Sequence, residues 1–274
     1  MERNPDSCMV CGDTQRSLLV ERDGWTVYRC EKCGLGVLDP RPGPEELKNL
    51  YAENYFDDQY GRGLAMGSPE IKRRISQEDH RVKFVRRHKR TGKILDIGCG
   101  MGYFLLACRI AGYDVEGADI SDHASAYVSK ELGIPIRTGG IETVAFPEAS
   151  LDVVTMWHFL EHVPRPAEYL ESARRWLRSD GVLVIDVPNY LGTDGQKNGA
   201  GWVGWQLPFH LYHYTPSSLS DLLAAHGFDI VGSKNYHSEY IKNRLKRIPV
   251  VSLFARIIAK FYSGTSYAVA ARKR

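Results

Sequence analysis

The sequence predicts an α/β fold, in which a doubly wound, mostly parallel sheet of seven strands follows a small cysteine-rich segment. Three observations support this prediction. From residue 91 onward, apolar strands alternate with amphipathic helices, which is typical of a doubly wound parallel sheet. A glycine-rich turn at residues 98–102 lies between a strand and a helix. Four of the six cysteines fall within the first 33 residues.

The composition indicates a globular chain of 274 residues, long enough for one large domain or two unequal ones. Charged residues make up 25% of the chain and hydrophobic residues 43%, which excludes a disordered or fibrous protein. The net charge of +3 is too small to indicate a class of partner. Because no run of about 18 uncharged apolar residues occurs and the first residues are polar, we expect a cytoplasmic protein.

Residues 1–40 predict a zinc ribbon. Two CxxC pairs are separated by 18 residues, and a glycine follows each pair; the cysteines are Cys8, Cys11, Cys30 and Cys33. Four thiolates would close a tetrahedral site, so the Zn²⁺ would be structural. A segment of about 40 residues buries too little apolar surface to fold alone, and the metal would supply the missing free energy. A redox dithiol and an iron–sulfur site are the alternatives.

Residues 41–90 predict a helical linker or cap. Prolines break the chain after the ribbon, a short helix is expected from Glu45 to Tyr51, and a long polar helix runs from Ser68 toward Arg90. Between the two helices lies an aromatic cluster that includes Tyr55 and Tyr60, both candidate substrate contacts. The basic run at 86–90 is either a phosphate-binding stripe or a solvated helix end, and its shortness favours the solvated end.

The turn at residues 98–102 predicts a nucleotide-like ligand, because it lets a ligand approach the backbone and the amino end of a helix. Tyr103 stands where a dinucleotide motif has its third glycine, which disfavours NAD. Asp96 is suited to a cationic ammonium group. Asp119 ends the next strand, 23 residues after Asp96, where a carboxylate accepts both hydroxyls of a ribose. Together these features indicate a nucleoside with an attached amino acid.

On these motifs, residues 91–274 resemble the class I S-adenosylmethionine-dependent methyltransferases. The similarity is carried by LDIGCGMG at 95–102, GADIS at 117–121, LDVVT at 151–155, LEHV at 160–163 and VPN at 187–189. The ribbon is similar to one that a subgroup of these enzymes carries. The resemblance implies a doubly wound, Rossmann-like methyltransferase fold, with S-adenosylmethionine bound by Asp96, Gly98, Cys99, Gly100, Gly102, Asp119, Ile120, Ile141, Glu142 and Trp157. Many relatives have an aspartate at the position of Gly140, so here the backbone and Ile141 are expected to contact adenine.

The other elements are expected in the order that this fold requires. Strands are predicted at 93–96, 114–119, 134–137, 151–156, 182–187, 228–233 and 267–271. Helices are predicted at 104–110, 124–132, 166–177 and from Thr215 to Gly227. Ligands of such sheets bind at the carboxyl ends of the strands.

Two histidine groups are candidates for orienting the acceptor or removing its proton. His158 lies one helical turn before Glu161 and His162; the similar motif of ubiquinone-type O-methyltransferases has an acid in its place and is associated with a divalent ion. His210 and then His213 lie in the long segment 190–214, which is typical of a lid or binding loop. Packing roles are the alternative for both groups. The candidate substrate contacts there are Tyr190, Trp202 and Tyr214.

Residues 246–262 predict an amphipathic helix at 249–261. Its apolar stripe runs from Val250 to Phe261, and Arg256 and Lys260 face away from it. Packing on its own domain or on a second subunit is favoured over peripheral contact with a membrane.

The sequence predicts a methyltransferase that acts on oxygen or carbon of a small-molecule acceptor, with apolar and lipid-like acceptors included. Residues 155–158 lack the Asn/Asp-Pro-Pro-aromatic motif of base-methylating enzymes, which disfavours a nucleic-acid acceptor. A zinc-ribbon RNA methyltransferase and an inactive zinc-ribbon binding protein are the alternatives.

Overall fold

The computed structural model describes residues 7–50 and 63–274. The strands are β1 (Arg16–Arg22), β2 (Trp25–Cys30), β3 (Gly36–Leu38), β4 (Lys93–Ile97), β5 (Asp114–Asp119), β6 (Ile136–Thr138), β7 (Leu151–Trp157), β8 (Leu177–Pro188), β9 (Tyr212–His213), β10 (Phe228–His237) and β11 (Ser263–Lys273). The α-helices are α1 (Pro44–Leu50), α2 (Pro69–His88), α3 (Tyr103–Ile110), α4 (Asp122–Lys130), α5 (Pro166–Trp176), α6 (Thr193–Asn198), α7 (Pro216–Ala225), α8 (Glu239–Leu245) and α9 (Ala255–Ala259).

The large sheet has seven strands in the order β10-β11-β8-β7-β4-β5-β6. The five strands from β8 to β6 are parallel, and β11 runs antiparallel to both β8 and β10. This sheet confirms the predicted doubly wound, mostly parallel fold. The carboxyl ends of β4, β5, β7 and β8 therefore meet at one edge, together with the end of β10 and the start of β11.

Apolar side chains cover both faces of this sheet, as a parallel sheet requires. All seven residues of β7 are buried. Ile94 and Val153 pack with α2, α3 and α4 in one core cluster, whereas Leu95 and Val154 pack with α5, α7 and the ribbon in the other. Successive strand residues point to opposite faces, so the run of apolar residues supplies both cores.

The cysteine-rich segment forms a second sheet, in the order β1-β2-β3-β9. Its fourth strand, β9, comes from the segment at 190–214, and Gly36 and Val37 pair with His213 and Tyr212. Val27, Leu35 and Leu38 are fully buried in the same core cluster as Leu183. The ribbon expected at 1–40 is thus continuous with the core of the large sheet.

The linker expected at 41–90 contains α1 and the long helix α2. Ser68 caps the amino end of α2, and its hydroxyl accepts the Ile71 N–H at 3.2 Å. Its last turn carries Arg86, Arg87 and His88. The predicted substrate contacts Tyr55 and Tyr60 lie outside the described residues.

The prediction of one amphipathic helix at 249–261 is wrong. The structure has a 3₁₀ turn at 251–253 followed by the short helix α9. Val250 interrupts a continuous helix because its φ is +67°. The buried residues of α9 are Ala255 and Ala259, and Ile258 is half-buried, so most of the large apolar side chains expected to pack on the domain are exposed instead. Within the described part of the chain, no helix is long and apolar enough to cross a membrane.

Candidate active site

The turn between β4 and α3 requires glycine for steric reasons. Gly98, Gly100 and Gly102 have φ values of +72°, +50° and +68°, a region that side chains with a Cβ enter at a cost of about 1–2 kcal/mol. A Cβ on Gly98 would overlap the ring of Phe159, and one on Gly102 would lie 2.9 Å from a methyl group of Val128. The backbone at Gly98 and Gly102 therefore lies too close to neighbouring side chains to leave room for a Cβ atom.

Two buried carboxylates flank this turn. Asp119, at the end of β5, accepts the Gly100 N–H at 2.8 Å through Oδ2 and the Ser121 N–H at 2.9 Å through Oδ1. Asp96, on β4, accepts the Thr155 hydroxyl at 2.6 Å. Both carboxylates are less than 9% exposed. Asp119 thus fixes the shape of the turn, and a carboxylate has enough lone pairs to accept a further hydrogen bond from a ligand.

Burial changes the protonation of both acids. Loss of water around Asp96 raises its pKa to about 7, although the Thr155 hydroxyl and the Arg81 guanidinium partly oppose the rise. Burial likewise raises the pKa of Asp119, against the backbone N–H groups that favour its ionised form. Acids whose pKa values are perturbed by burial beside a cavity are typical of functional sites.

Beside the turn lies a small apolar cavity of about 20 Å³. It is lined by Gly98, Asp119, Ile120, Gly140, Ile141, Phe159, Tyr169 and Trp176, among others. The rings of Phe159 and Tyr169 meet edge to face at 5.0 Å. Glu142 does not line this cavity, because its carboxylate forms an exposed ion pair with Arg165 at 2.6 Å. A larger cavity of about 380 Å³ lies between the ribbon and residues 164–168, away from the turn.

Replacing Gly98 by alanine tests the steric requirement. The matched control is Gly112→Ala, because Gly112 also has positive φ (+92°) but has no atom within 4 Å of an added Cβ. We expect Gly112→Ala to lower the free energy of unfolding by about 1–2 kcal/mol. We expect Gly98→Ala to lower it further and to displace Phe159. Urea denaturation measures both changes, and equal losses would contradict the close approach to Phe159.

His158 lies at the carboxyl end of β7, between two carboxylates. Its Nε2 is 3.7 Å from Asp186 and 3.4 Å from the Ser266 hydroxyl, and its Nδ1 is 3.5 Å from Glu161. Its φ of +51° is unusual for a residue with a side chain, and its N–H donates to the Asp186 carbonyl at 2.9 Å. The imidazole is 39% exposed, whereas Asp186 and Glu161 are fully buried.

The neighbouring acids control the charge of His158. Burial opposes its protonation, but the carboxylates of Asp186 and Glu161 outweigh this effect and raise the pKa of His158 above its ordinary value. Burial also raises the pKa of Asp186, while His158, Arg81 and the hydroxyl of Tyr236 favour its ionised form. Tyr236 donates that hydrogen bond at 2.7 Å.

The long helix α2 contributes a side chain to the site, although the sequence did not indicate this contribution. Arg81 lies 4.9 Å above the ring of Trp157, and its guanidinium is 3.0 Å from the buried Glu78. The negative charges of Glu78, Asp186 and Asp96 outweigh its burial and raise the pKa of Arg81. The sequence does contain a signal for Arg81. Glu78 lies four residues after Arg74 and three residues before Arg81, so all three side chains share one face of the helix.

His210 and His213 are buried, each only 2% exposed. The Nδ1 of His210 is 2.9 Å from the Gly204 carbonyl, and burial holds the pKa of His210 well below its usual range. Burial also lowers the pKa of His213 to about 3. Of the three histidines predicted as candidate bases, His158 is thus the one with a partly exposed imidazole.

Glu161, His162 and His210 could hold a divalent ion. Their ligand atoms lie within 4.8 Å of one another. Both oxygens of Glu161 lack a hydrogen-bond partner among the described residues. His162 and His210 each place Nδ1 against a backbone carbonyl, an arrangement found in many metal-binding histidines.

The predicted substrate contacts of the segment 190–214 lie inside the protein instead. Tyr190 donates to the Gly34 carbonyl of the ribbon at 2.5 Å and stacks on Trp205. Trp202 and Tyr214 are 1% and 0% exposed. All three rings belong to the core cluster that the ribbon shares with the large sheet, and the hydroxyl of Tyr190 adds a hydrogen bond to the ribbon backbone.

The four ribbon cysteines form one cluster. The Sγ atoms of Cys8 and Cys33 are 3.6 Å apart, and those of Cys11 and Cys30 are 3.5 Å apart. All four lie within 4.8 Å of one another. A disulfide would require about 2.0 Å, whereas four Zn–S bonds of about 2.3 Å put sulfurs about 3.8 Å apart. The geometry fits a tetrahedral metal and not a pair of disulfides.

The sequence profile of a family described as "Methyltransferase domain" matches residues 70–233, more than half of the chain. The chain belongs to this methyltransferase family. The match begins within α2 and ends within β10, so the ribbon and residues 238–262 lie outside it.

Several methyltransferases are similar to the chain. The Ubiquinone biosynthesis O-methyltransferase of Paraburkholderia phymatum is 34% identical over 164 residues, which cover 54% of this chain and 69% of that protein. A Mycolicibacterium smegmatis protein named as an S-adenosylmethionine-dependent methyltransferase is 29% identical over 162 residues, which cover 55% of this chain and 58% of that protein. The chain thus spans little more than half of that relative's length.

The fold has a solved counterpart in the crystal structure of a SAM dependent methyltransferase from Archaeoglobus fulgidus. The TM-score is 0.56 at 23% sequence identity, and the alignment covers 73% of this chain and 94% of that one. This similarity supports the methyltransferase fold seen in the large sheet.

Proposed function

We propose that this methyltransferase uses S-adenosylmethionine to methylate an oxygen or carbon of a small-molecule acceptor, with apolar and lipid-like acceptors included. The observation that carries the proposal is the pair of buried carboxylates, Asp96 and Asp119, at the carboxyl ends of adjacent strands and on either side of a glycine turn. Ligands of doubly wound sheets bind at this edge. Two acids there suit a ligand that carries positive charge and a ribose.

The residues present fit the donor. Asp119 would accept hydrogen bonds from the ribose hydroxyls, and Asp96 would face the ammonium group of the methionine part. Gly98, Cys99, Gly100 and Gly102 would let the donor lie against the backbone. Ile120 and Ile141 line the apolar cavity and would flank adenine, whereas Glu142 would act only through its pair with Arg165.

We assign His158 the role of general base. S-adenosylmethionine supplies a methyl group bonded to a positively charged sulfur. When an acceptor hydroxyl takes this methyl group and the sulfur–carbon bond breaks, a ring nitrogen of His158 would accept the hydroxyl proton. Asp186 then stabilises the charged imidazole from 3.7 Å. Trp157 and Arg81 would form the wall behind this site and exclude water from it.

We also propose that Cys8, Cys11, Cys30 and Cys33 hold a structural Zn²⁺. The thiol separations of 3.5 and 3.6 Å support four sulfur ligands. Closed sites of this type contribute folding free energy and take no part in chemistry.

Calorimetry and an activity assay test the proposal together. We expect zinc-loaded protein to bind S-adenosylhomocysteine and not NADH. We then expect methyl transfer from S-adenosylmethionine to a small phenolic acceptor, followed by release of the demethylated donor. Absence of S-adenosylhomocysteine binding would refute the proposal that the protein uses S-adenosylmethionine. Methyl transfer to RNA but to no small molecule would show that the acceptor is RNA.

Asp119→Ala should weaken binding of S-adenosylhomocysteine by at least about tenfold, since it removes a charge-assisted bond to the donor and a support of the turn. Asp122→Ala is the matched control, because Asp122 is an exposed acid three residues farther along the chain. Calorimetric affinities, with thermal melting curves to verify folding, measure the effect. Equal affinities in both variants would refute the role of Asp119.

A further inference from the structure

Residues 243–262 form an exposed apolar surface, hereafter the apolar patch. Among the described residues, fifteen large apolar side chains are exposed, and seven of them lie in this patch. They are Ile248, Val250, Leu253, Phe254, Ile257, Phe261 and Tyr262. Leu253 and Phe261 are 79% and 84% exposed. A contiguous set of this kind on a surface indicates a binding site.

The same patch is strongly basic. Residues 243–262 contain five lysines and arginines and no acid: Arg244, Lys246, Arg247, Arg256 and Lys260. The whole chain carries +3, so with +5 in this segment the remaining residues sum to −2. All five cations are exposed. Positive charge is thus concentrated where the apolar side chains point outward.

The helix α9 arranges these two properties side by side. Its small residues, Ala255 and Ala259, face the protein and are buried. At 100° per residue, Ile257 lies on the opposite face and Arg256 along the flank, and Lys260 and Phe261, which follow the helix, are also exposed. Apolar side chains flanked by cations match the boundary between the acyl chains and the anionic headgroups of a bilayer.

Topology puts the patch at the edge of the sheet that carries the candidate active site. The patch connects β10 to β11, and β11 continues to Ser266, whose hydroxyl is 3.4 Å from His158. Phe261 precedes Ser266 by five residues, which an extended chain spans in at most about 17 Å. The Ser238 N–H, bonded to the carbonyls of Ala259 and Tyr262 at 3.2 and 3.0 Å, ties the patch to the end of β10.

We propose that the apolar patch docks the protein on the surface of an anionic lipid bilayer. Charge complementarity decides between the possible occupants. In a symmetric dimer built on this patch, each set of five cations would face the same set of its partner with no acid to compensate them. Anionic headgroups instead neutralise all five while the apolar side chains enter the lipid. Together with the proposed function, docking brings an acceptor dissolved in the bilayer to the His158 edge.

Flotation of the full chain with lipid vesicles tests this proposal. We expect binding to vesicles of phosphatidylcholine with phosphatidylglycerol, much weaker binding to phosphatidylcholine alone, and a loss of binding as salt is raised. Leu253→Ser/Phe261→Ser should weaken binding by at least about tenfold, because two large side chains no longer enter the lipid. Arg256→Gln/Lys260→Gln should weaken it by about 25-fold, at roughly fivefold for each cation.

Matched controls replace the same residue types elsewhere. Ile110, which is 69% exposed, ends α3 at the opposite edge of the sheet, so Ile110→Ser should bind vesicles as the wild type does. Arg86→Gln/Arg87→Gln removes two cations from the end of α2 and should have little effect. Binding of S-adenosylhomocysteine should be equal in all variants, which separates a failure of docking from a failure of the proposed function.

Three results would overturn the proposal. The first is a wild-type protein that does not float with anionic vesicles. The second is equal loss of binding in the patch variants and the controls. The third is a wild-type dimer that Leu253→Ser/Phe261→Ser dissociates, with no vesicle binding, because the patch would then be covered by a second copy.

Discussion

Replacing Cys30 and Cys33 by serine is expected to abolish zinc binding and unfold the cysteine-rich ribbon. Structural zinc sites supply roughly 10–16 kcal/mol of binding free energy to small domains. The ribbon shares its core with the large sheet, where Val27, Leu35 and Leu38 are buried, and part of its stability comes from that contact. We therefore expect the free energy of unfolding to fall by at least about 4 kcal/mol. Metal analysis and urea denaturation measure the two effects.

The loss of structure in this double variant should extend beyond the ribbon to the segment that pairs with it. β9 pairs with β3, and Tyr190 donates to the carbonyl of Gly34. Hydrogen exchange should therefore rise in residues 190–214 as well as in β1–β3, and remain low in β7 and β8. The control is Cys108→Ala, which removes a buried thiol outside the cluster. A double variant that retains one zinc ion per chain, or a ribbon that stays protected from exchange, would contradict the prediction.

Periodicity and motif spacing predicted most of the large sheet. The strands at 93–97, 114–119, 151–157 and 177–188 contain short apolar runs whose position between helices determines their order. The ribbon strands β1 and β3 and the short strand β9 were not predicted. β9 has only two residues, and it pairs with a strand more than 170 residues away, a contact that no local pattern encodes.

The candidate site was only partly predictable for a related reason. Asp96, the glycine turn and Asp119 lie close together in sequence, so their spacing reveals the cleft. Asp186 was not predicted, although an acid inside the apolar strand β8 is rare and indicates a paired or functional residue. Arg81 was missed because it lies on a helix assigned to a linker, and only packing brings it over Trp157.

The prediction for residues 249–261 was wrong because helical spacing alone does not say which face of a helix is buried. The large apolar stripe was expected to pack inward, as in most amphipathic helices. Here Ala255 and Ala259 provide the inward contact, which brings α9 close to its neighbours and leaves Phe254 and Ile257 outside. Small residues at a four-residue spacing were the signal that the sequence offered.

His158→Gln is expected to lower kcat for an oxygen acceptor by about 10²–10⁴-fold, the usual contribution of a general base. Binding of S-adenosylhomocysteine should change little, since the proposed donor contacts are on β4 and β5. His123→Gln, an exposed histidine at the start of α4, is the control and should retain full activity. Wild-type kcat in the His158→Gln variant would show that the imidazole is not the general base.

The pH dependence of kcat/KM distinguishes a base from a residue that only packs. His158 must be neutral to accept a proton, and neighbouring Asp186 raises its pKa, so activity should rise with pH through a value above the ordinary histidine pKa of about 6.5. Asp186→Asn removes that charge and should shift this rise to lower pH while it lowers the maximum rate. A purely structural Asp186 would lower the rate at every pH without a shift, because the proton affinity of His158 would be unchanged.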